Sequence, residues 1–118
     1  MIQSYEDLEV YKRSYKLSME LYQRSRSFPD EEKFMLTSQL RRAVTSIPLN
    51  IAEGYGKKSS AAEFKRYLAM AAGSSNEVAV LLDMSKDLGF IKPEEHETYK
   101  REVFEIGRML NGLIRSWK

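Results

Sequence analysis

Leu36, Leu40, Ala43, Val44, Ile47 and Ile51 recur at spacings of three and four, and the pattern holds one face straight through Pro48. A strand cannot carry that phase, so this stretch is a helix. Proline inside it removes the hydrogen bond to the Val44 carbonyl and crowds it, at about 3 kcal/mol in an isolated helix. Because the apolar phase continues on both sides, the sequence predicts a kink at Pro48 and not a break.

Three more segments read the same way. Ser4 and Asp7 supply a cap and a first-turn acid for a helix from about Tyr5 to Ser27, with Leu8, Tyr11, Tyr15, Ser18 and Tyr22 as its stripe. Phe28-Pro29 stops it, since the residue before proline avoids the helical region. Asp30, Glu31 and Glu32 are expected to cap the second helix. Gly54 and Gly56 suit its C-terminal cap, with Lys57 and Lys58 near its negative end.

Ser60 and Glu63 fit a reciprocal capping box opening a third helix. Its stripe is Phe64, Leu68, Ala71, Ser75, Val78, Leu82 and Ser85, ending at Leu88-Gly89. Pro93 in its tolerated first-turn position starts a fourth, whose seam is Tyr99, Val103, Ile106, Leu110, Leu113 and Trp117. No segment alternates with period two. The expected fold is all-α, an antiparallel up-down-up-down four-helix bundle filling residues 1–118 as one domain.

Composition narrows the function classes. The 118 residues are 42% hydrophobic, enough for one core. Cysteine is absent, which removes thiolate nucleophiles, thiolate metal sites and disulfides. No apolar run nears the roughly 20 residues that span a bilayer, and the first residues lack a signal-peptide core. A cytoplasmic protein with no membrane partner is expected. Net charge is only +2, from 19 Lys and Arg against 17 Asp and Glu. A symmetric oligomer would multiply that excess and could gather it on one face.

Helices two and three each carry a further stripe. Gln39, Arg42, Ser46, Asn50 and Glu53 form a polar line beside the apolar one on helix two. Met70, Ser74, Glu77, Leu81, Met84 and Leu88 form a second seam on helix three. A lone four-helix chain needs one inward stripe per helix. The surplus reads as a helix–helix or subunit interface, and the small residues of "AMAAGSS" would let another helix come close. The competing reading is a solvated face with scattered apolar residues.

Catalytic chemistry finds little footing. His96, the only histidine, sits among Glu94, Glu95 and Glu97 and is expected on the solvated surface. Ser46 has no base at an activating spacing. No Glu-x-x-His pair is present for an inward metal site, and neither metal nor cofactor is expected. "GYGKKS" is not a P-loop, because Ile51 stands where that pattern needs glycine and a helix precedes it. What survives is a basic turn leading into free helix amides, with Arg41, Lys57, Lys58 and Arg66 as candidate anion or nucleic-acid contacts and a plain capped turn as the alternative.

"QLRRAVTSIPLNIAEGYGKKS", together with "YEDLEVYKRSYKLSMELY" and "EFKRYLAMAAGSSNEVAVLL", resembles the four-helix-bundle family encoded in intervening sequences of large-subunit ribosomal RNA genes. The likeness covers nearly the whole chain. It implies an up-down bundle assembled as a ring-like homopentamer. A relative in diversity-generating retroelements is a basic pentamer that engages a reverse transcriptase and nucleic acid. Arg41, Arg42, Ser46, Asn50 and Glu53 match the family's signature, and the resemblance attaches no catalytic role to them. The expectation is a non-enzymatic homo-oligomer serving as a scaffold, with weak RNA or DNA binding through a basic face. The alternatives are a regulatory protein partner of a neighbouring gene product, and an enzyme whose intersubunit site uses Arg42, Asn50 and Glu53.

Overall fold

The computed structural model describes residues 1–118 and contains four α-helices and no strand. They are α1 (Glu9–Ser25), α2 (Leu36–Tyr55), α3 (Ala61–Asp87) and α4 (Pro93–Ser116), with short 3-10 turns at Tyr5–Asp7 and Asp30–Glu32. One cluster of 22 buried apolar residues runs the length of the 44 Å molecule. No helix is long and apolar enough to cross a membrane.

Both N-terminal boundaries differ from the sequence expectation. Ser4 caps only the 3-10 turn: its Oγ accepts from the Glu6 amide at 3.1 Å and its amide donates to Asp7 Oδ2 at 3.2 Å. Leu8 is then extended, so α1 begins at Glu9. Asp30, Glu31 and Glu32 likewise occupy their own turn, and α2 starts at Leu36 without a side-chain cap.

The stripe of α1 is the larger correction. Tyr15 and Tyr22 are exposed and Tyr11 is half-buried, whereas Val10, Ser14, Leu17, Ser18, Leu21 and Ser25 face the core. Serine is acceptable there because each hydroxyl finds a carbonyl. Ser14 donates to Tyr11 O and Ser25 to Tyr22 O, at 3.1 and 2.8 Å. Short side chains also let α2 approach.

Ser18 has a further task. Its Oγ lies 2.9 Å from the carbonyl oxygen of Val44, the acceptor that Pro48 cannot serve. The same hydroxyl lies 2.8 Å from Ser14 O, so its one proton is shared between the two carbonyls, and α2 stays continuous from Leu36 to Tyr55 with Ile47 and Ile51 fully buried.

All seven named α3 residues are buried; of the α4 seam Val103, Ile106 and Leu110 are buried, while Tyr99, Leu113 and Trp117 are half-buried against the core and Trp117 lies just past the helix. Ser60 Oγ accepts from the Glu63 amide at 3.2 Å. The return half of that capping box is missing, because the Glu63 carboxylate turns to Arg66 instead. Gly89 takes the left-handed φ of +81° that ends α3.

Gly54 does not cap α2. It is helical and buried, and a Cβ built on it would lie 2.5 Å from Tyr67 Cβ. Glycine is required there for α2 and α3 to touch. Gly56 alone forms the C-cap.

Candidate functional site

The polar stripe of α2 and the second seam of α3 meet along the outer edge of the α2/α3 contact. Ser46 Oγ and Ser74 Oγ are 2.6 Å apart, and Asn50 Nδ2 donates to Ser46 O at 2.8 Å. One turn of helix further along, Tyr67 OH donates to Glu53 Oε2 at 3.2 Å. Three of the five polar residues therefore belong to a seam inside the chain. Gln39 and Arg42 are exposed, and Arg42 makes no ion pair although Glu77 lies at its level.

On α3, Met70 and Met84 are 44% and 48% exposed and Glu77 is exposed, while Ser74 is half-buried. Leu81 is placed in the core, at 3% exposure. Val80 stands out in its place, 52% exposed one residue earlier. Spacings of three and four admit either residue between Glu77 and Met84, and the structure turns Val80 outward and Leu81 inward.

Arg42, Asn50 and Glu53 do not converge in a pocket. Arg42 and Glu53 are about 16 Å apart along α2, and the last two are engaged by Ser46 and Tyr67. No three His, Asp or Glu side chains gather in a metal-binding group.

The four basic candidates fall into two places. Lys57 lies over the Tyr67 ring at 5.5 Å, Lys58 over Tyr55 at 4.8 Å and Arg66 over Tyr67 at 4.7 Å. Arg66 also pairs with Glu63, which holds that carboxyl below its ordinary range. Lys58 further borders a shallow hollow with Ser59, Trp117 and Lys118. Arg41 is about 24 Å from this end, sixteen residues back along α2. Its Nε donates to Ser25 Oγ at 2.8 Å and its guanidinium stacks 4.2 Å from Tyr22, so it ties α2 to α1 instead.

His96 is not a solvated surface residue. Its side chain is 15% exposed, and Nε2 sits 2.7 Å from Asp83 Oδ1. Lys100 reaches the same oxygen at 2.9 Å, and the two together pull the Asp83 carboxyl below its usual range.

Two features escaped the sequence reading. Tyr11, Tyr15, Met19, Pro48 and Leu49 line a mostly apolar groove of about 290 Å³ between α1 and α2. Between α1 and α4 lies a wider charged one of about 630 Å³, with Arg13, Lys16, Glu20, Arg101 and Glu102 among its walls. Tyrosines at helical spacing look like core, and nothing in a one-dimensional pattern says which of two faces a helix buries.

Residues 6–112 match the model of a family described as 23S rRNA-intervening sequence protein. No curated protein matches the chain. Among solved structures, the chain is similar to a protein with unknown function from the S23 ribosomal protein family of Bacteroides thetaiotaomicron VPI-5482. The two share 26% identity over 91% of this chain and 99% of that one, with a TM-score of 0.82.

Proposed function

Since the chain belongs to the 23S rRNA-intervening sequence protein family, we propose that it is a non-enzymatic scaffold that works as a ring of identical subunits, five in number. The observation that carries this reading is the outward face of α3. Met70, Val80, Met84 and Leu88 are each between 44% and 57% exposed, on one side of a helix whose other side is fully packed. Apolar residues in continuous helical register are costly to leave in water and mark contact surfaces. A second copy is the partner always at hand.

Each subunit in this reading is an antiparallel up-down-up-down bundle with α2 bent at Pro48. The order of the pairings supports the topology: Arg13 meets Glu102 and Arg24 meets Glu95, while Ser46 meets Ser74 and Glu53 meets Tyr67. The donation from Ser18 to the Val44 carbonyl supports the bend, since it occupies space that a straight ladder would close.

Lys58 and Lys118, with Trp117 beside them and Lys57 next to Lys58 in the turn, favour a second activity, weak RNA or DNA binding at one end of each subunit. Repeating that end around a ring multiplies its charge without changing the chain's net +2. Sedimentation velocity tests the assembly, which should persist under dilution to micromolar protein. Filter binding of single-stranded RNA tests the rest. Retention at about 50 mM salt that falls steeply by about 200 mM, and is abolished in Lys57→Glu/Lys58→Glu, is the expected result. No retention at the lower salt removes the nucleic-acid part and leaves the scaffold.

A further inference from the structure

Two exposed strips on this chain are unlike each other in a complementary way. On α1, Tyr15, Met19 and Tyr22 are 50%, 44% and 38% exposed and stand up as a bulky ridge. On α3 the strip is low where it passes the small, exposed residues Ala69 and Gly73, and a Cβ on Gly73 would point into open space. Charge divides likewise. Arg26 flanks the ridge, Lys12 beside it pairs with Glu9 at 3.9 Å, and the acids Glu9 and Glu20 line hollows on the α4 side of α1. The α3 strip carries Glu77 and Asp87. Neither they nor Arg26 makes an ion pair within the chain.

The strips also match in height. Ser18 touches Val44, and Ser46 touches Ser74. Counting three residues from the first contact and one from the second puts Tyr15 level with Ile47 and then with Gly73. The same count sets Met19 level with Glu77, Tyr22 with Val80 and Arg26 with Met84, one turn from Asp87. Rotation about an axis parallel to the helices preserves height, so Tyr15 of one copy arrives opposite Gly73 of the next and Tyr22 opposite Val80.

Because α2 contacts both α1 and α3, the strips occupy neighbouring faces with α2 as their common corner. Such faces point about 90° apart, and a closed ring of four or five copies needs about 90–110° between its two contact surfaces. We infer that the tyrosine ridge of α1 packs along the next copy's α3 from Gly73 to Val80, a head-to-tail contact that turns Gln39, Arg42 and Glu53 of α2 towards the ring axis. This inference rests on the self-association proposed above and names the two faces that make it.

The chain has no cysteine, so pairs can be introduced cleanly. In Tyr22→Cys/Val80→Cys, a short bis-maleimide should give a denaturing-gel ladder that ends at a closed ring. Each single variant should give no cross-linked dimer, because a head-to-tail contact brings unlike residues together. Gly73→Trp, which raises the low stretch of α3, should release folded monomers with unchanged helix content. An assembly that persists in Gly73→Trp, yields no ladder, or cross-links through either single variant overturns the face assignment and leaves the scaffold reading intact. A wild-type monomer overturns both.

Discussion

The α2/α3 and α1/α4 seams hold together in opposite ways. Along α2/α3 the backbones come close, Gly54 lies against Tyr67, and Ser46 and Ser74 share one hydrogen bond. Along α1/α4 the helices stand apart around the charged groove, and arginines bridge the gap. Arg24 donates to both Glu95 oxygens at 2.6 and 2.9 Å and to Phe90 O at 3.1 Å. Arg13 clamps Glu102 through Nε at 2.9 Å and Nη2 at 2.5 Å. A close-packed seam depends on volume and is blind to salt, while a clamped one depends on charge and yields to salt and acid.

The largest expected effect breaks the first seam. Gly54→Ala forces α3 away from α2, and overpacking of this kind costs about 1–3 kcal/mol. Alanine's helix preference returns up to about 1 kcal/mol of that. The 2.5 Å approach to Tyr67 Cβ puts the cost at the top of that range, so a net loss of up to about 2 kcal/mol, or up to roughly 10 °C in Tm, is predicted in thermal unfolding. Gly112→Ala, whose Cβ would meet only Arg115 at 3.9 Å, should instead gain about 0.5–1 kcal/mol. Equal effects at the two glycines would contradict the close-contact account of Gly54.

Next comes the buried hydroxyl under the proline. Ser18→Ala leaves the Val44 carbonyl without a donor in the core, which should cost about 1–2 kcal/mol by urea unfolding. Ser18→Ala combined with Pro48→Ala should recover most of the loss, since the helix ladder then serves that carbonyl itself. No recovery would mean that Ser18 acts through packing alone.

The clamp should be weaker and sensitive to conditions. Arg24→Ala is expected to cost about 1 kcal/mol in dilute buffer and less in 1 M salt, with hydrogen exchange rising in α1 and α4 before α2 and α3. Acid acts on the same clamp. The Arg24 guanidinium and the Lys92 amide lower the Glu95 carboxyl from 4.5 to about 2. A depressed carboxyl stabilises the fold fully above its unfolded value, and that contribution fades as pH falls from about 4.5 to about 2. Glu95→Gln should therefore flatten the stability profile in that window and leave its shape at neutral pH unchanged.

These seams also show what the sequence could disclose. The stripes of α2, α3 and α4 were legible because each combines large aliphatics on one side with charges on the other. On α1 the rule misled, since tyrosines at three-four spacing stand outside while Ser14, Ser18 and Ser25 lie inside. Burial there is decided by how close α2 must come and by carbonyls within reach of each hydroxyl, and neither is written in a single helix's periodicity. The polar line from Gln39 to Glu53 was legible as a line, but not that Ser74 and Tyr67 of the same chain would take half of it. Lys57, Lys58 and Arg66 could be grouped from the turn they flank. Arg41 could be separated from them only by its distance along α2.

The account stands on the outward faces of α1 and α3 being covered by further copies of the chain. Native mass spectrometry of the unmodified protein counts those copies. A dominant species at five times the 13.7 kDa chain mass is the predicted result. A single species at 13.7 kDa, unchanged at high protein concentration, would contradict the account.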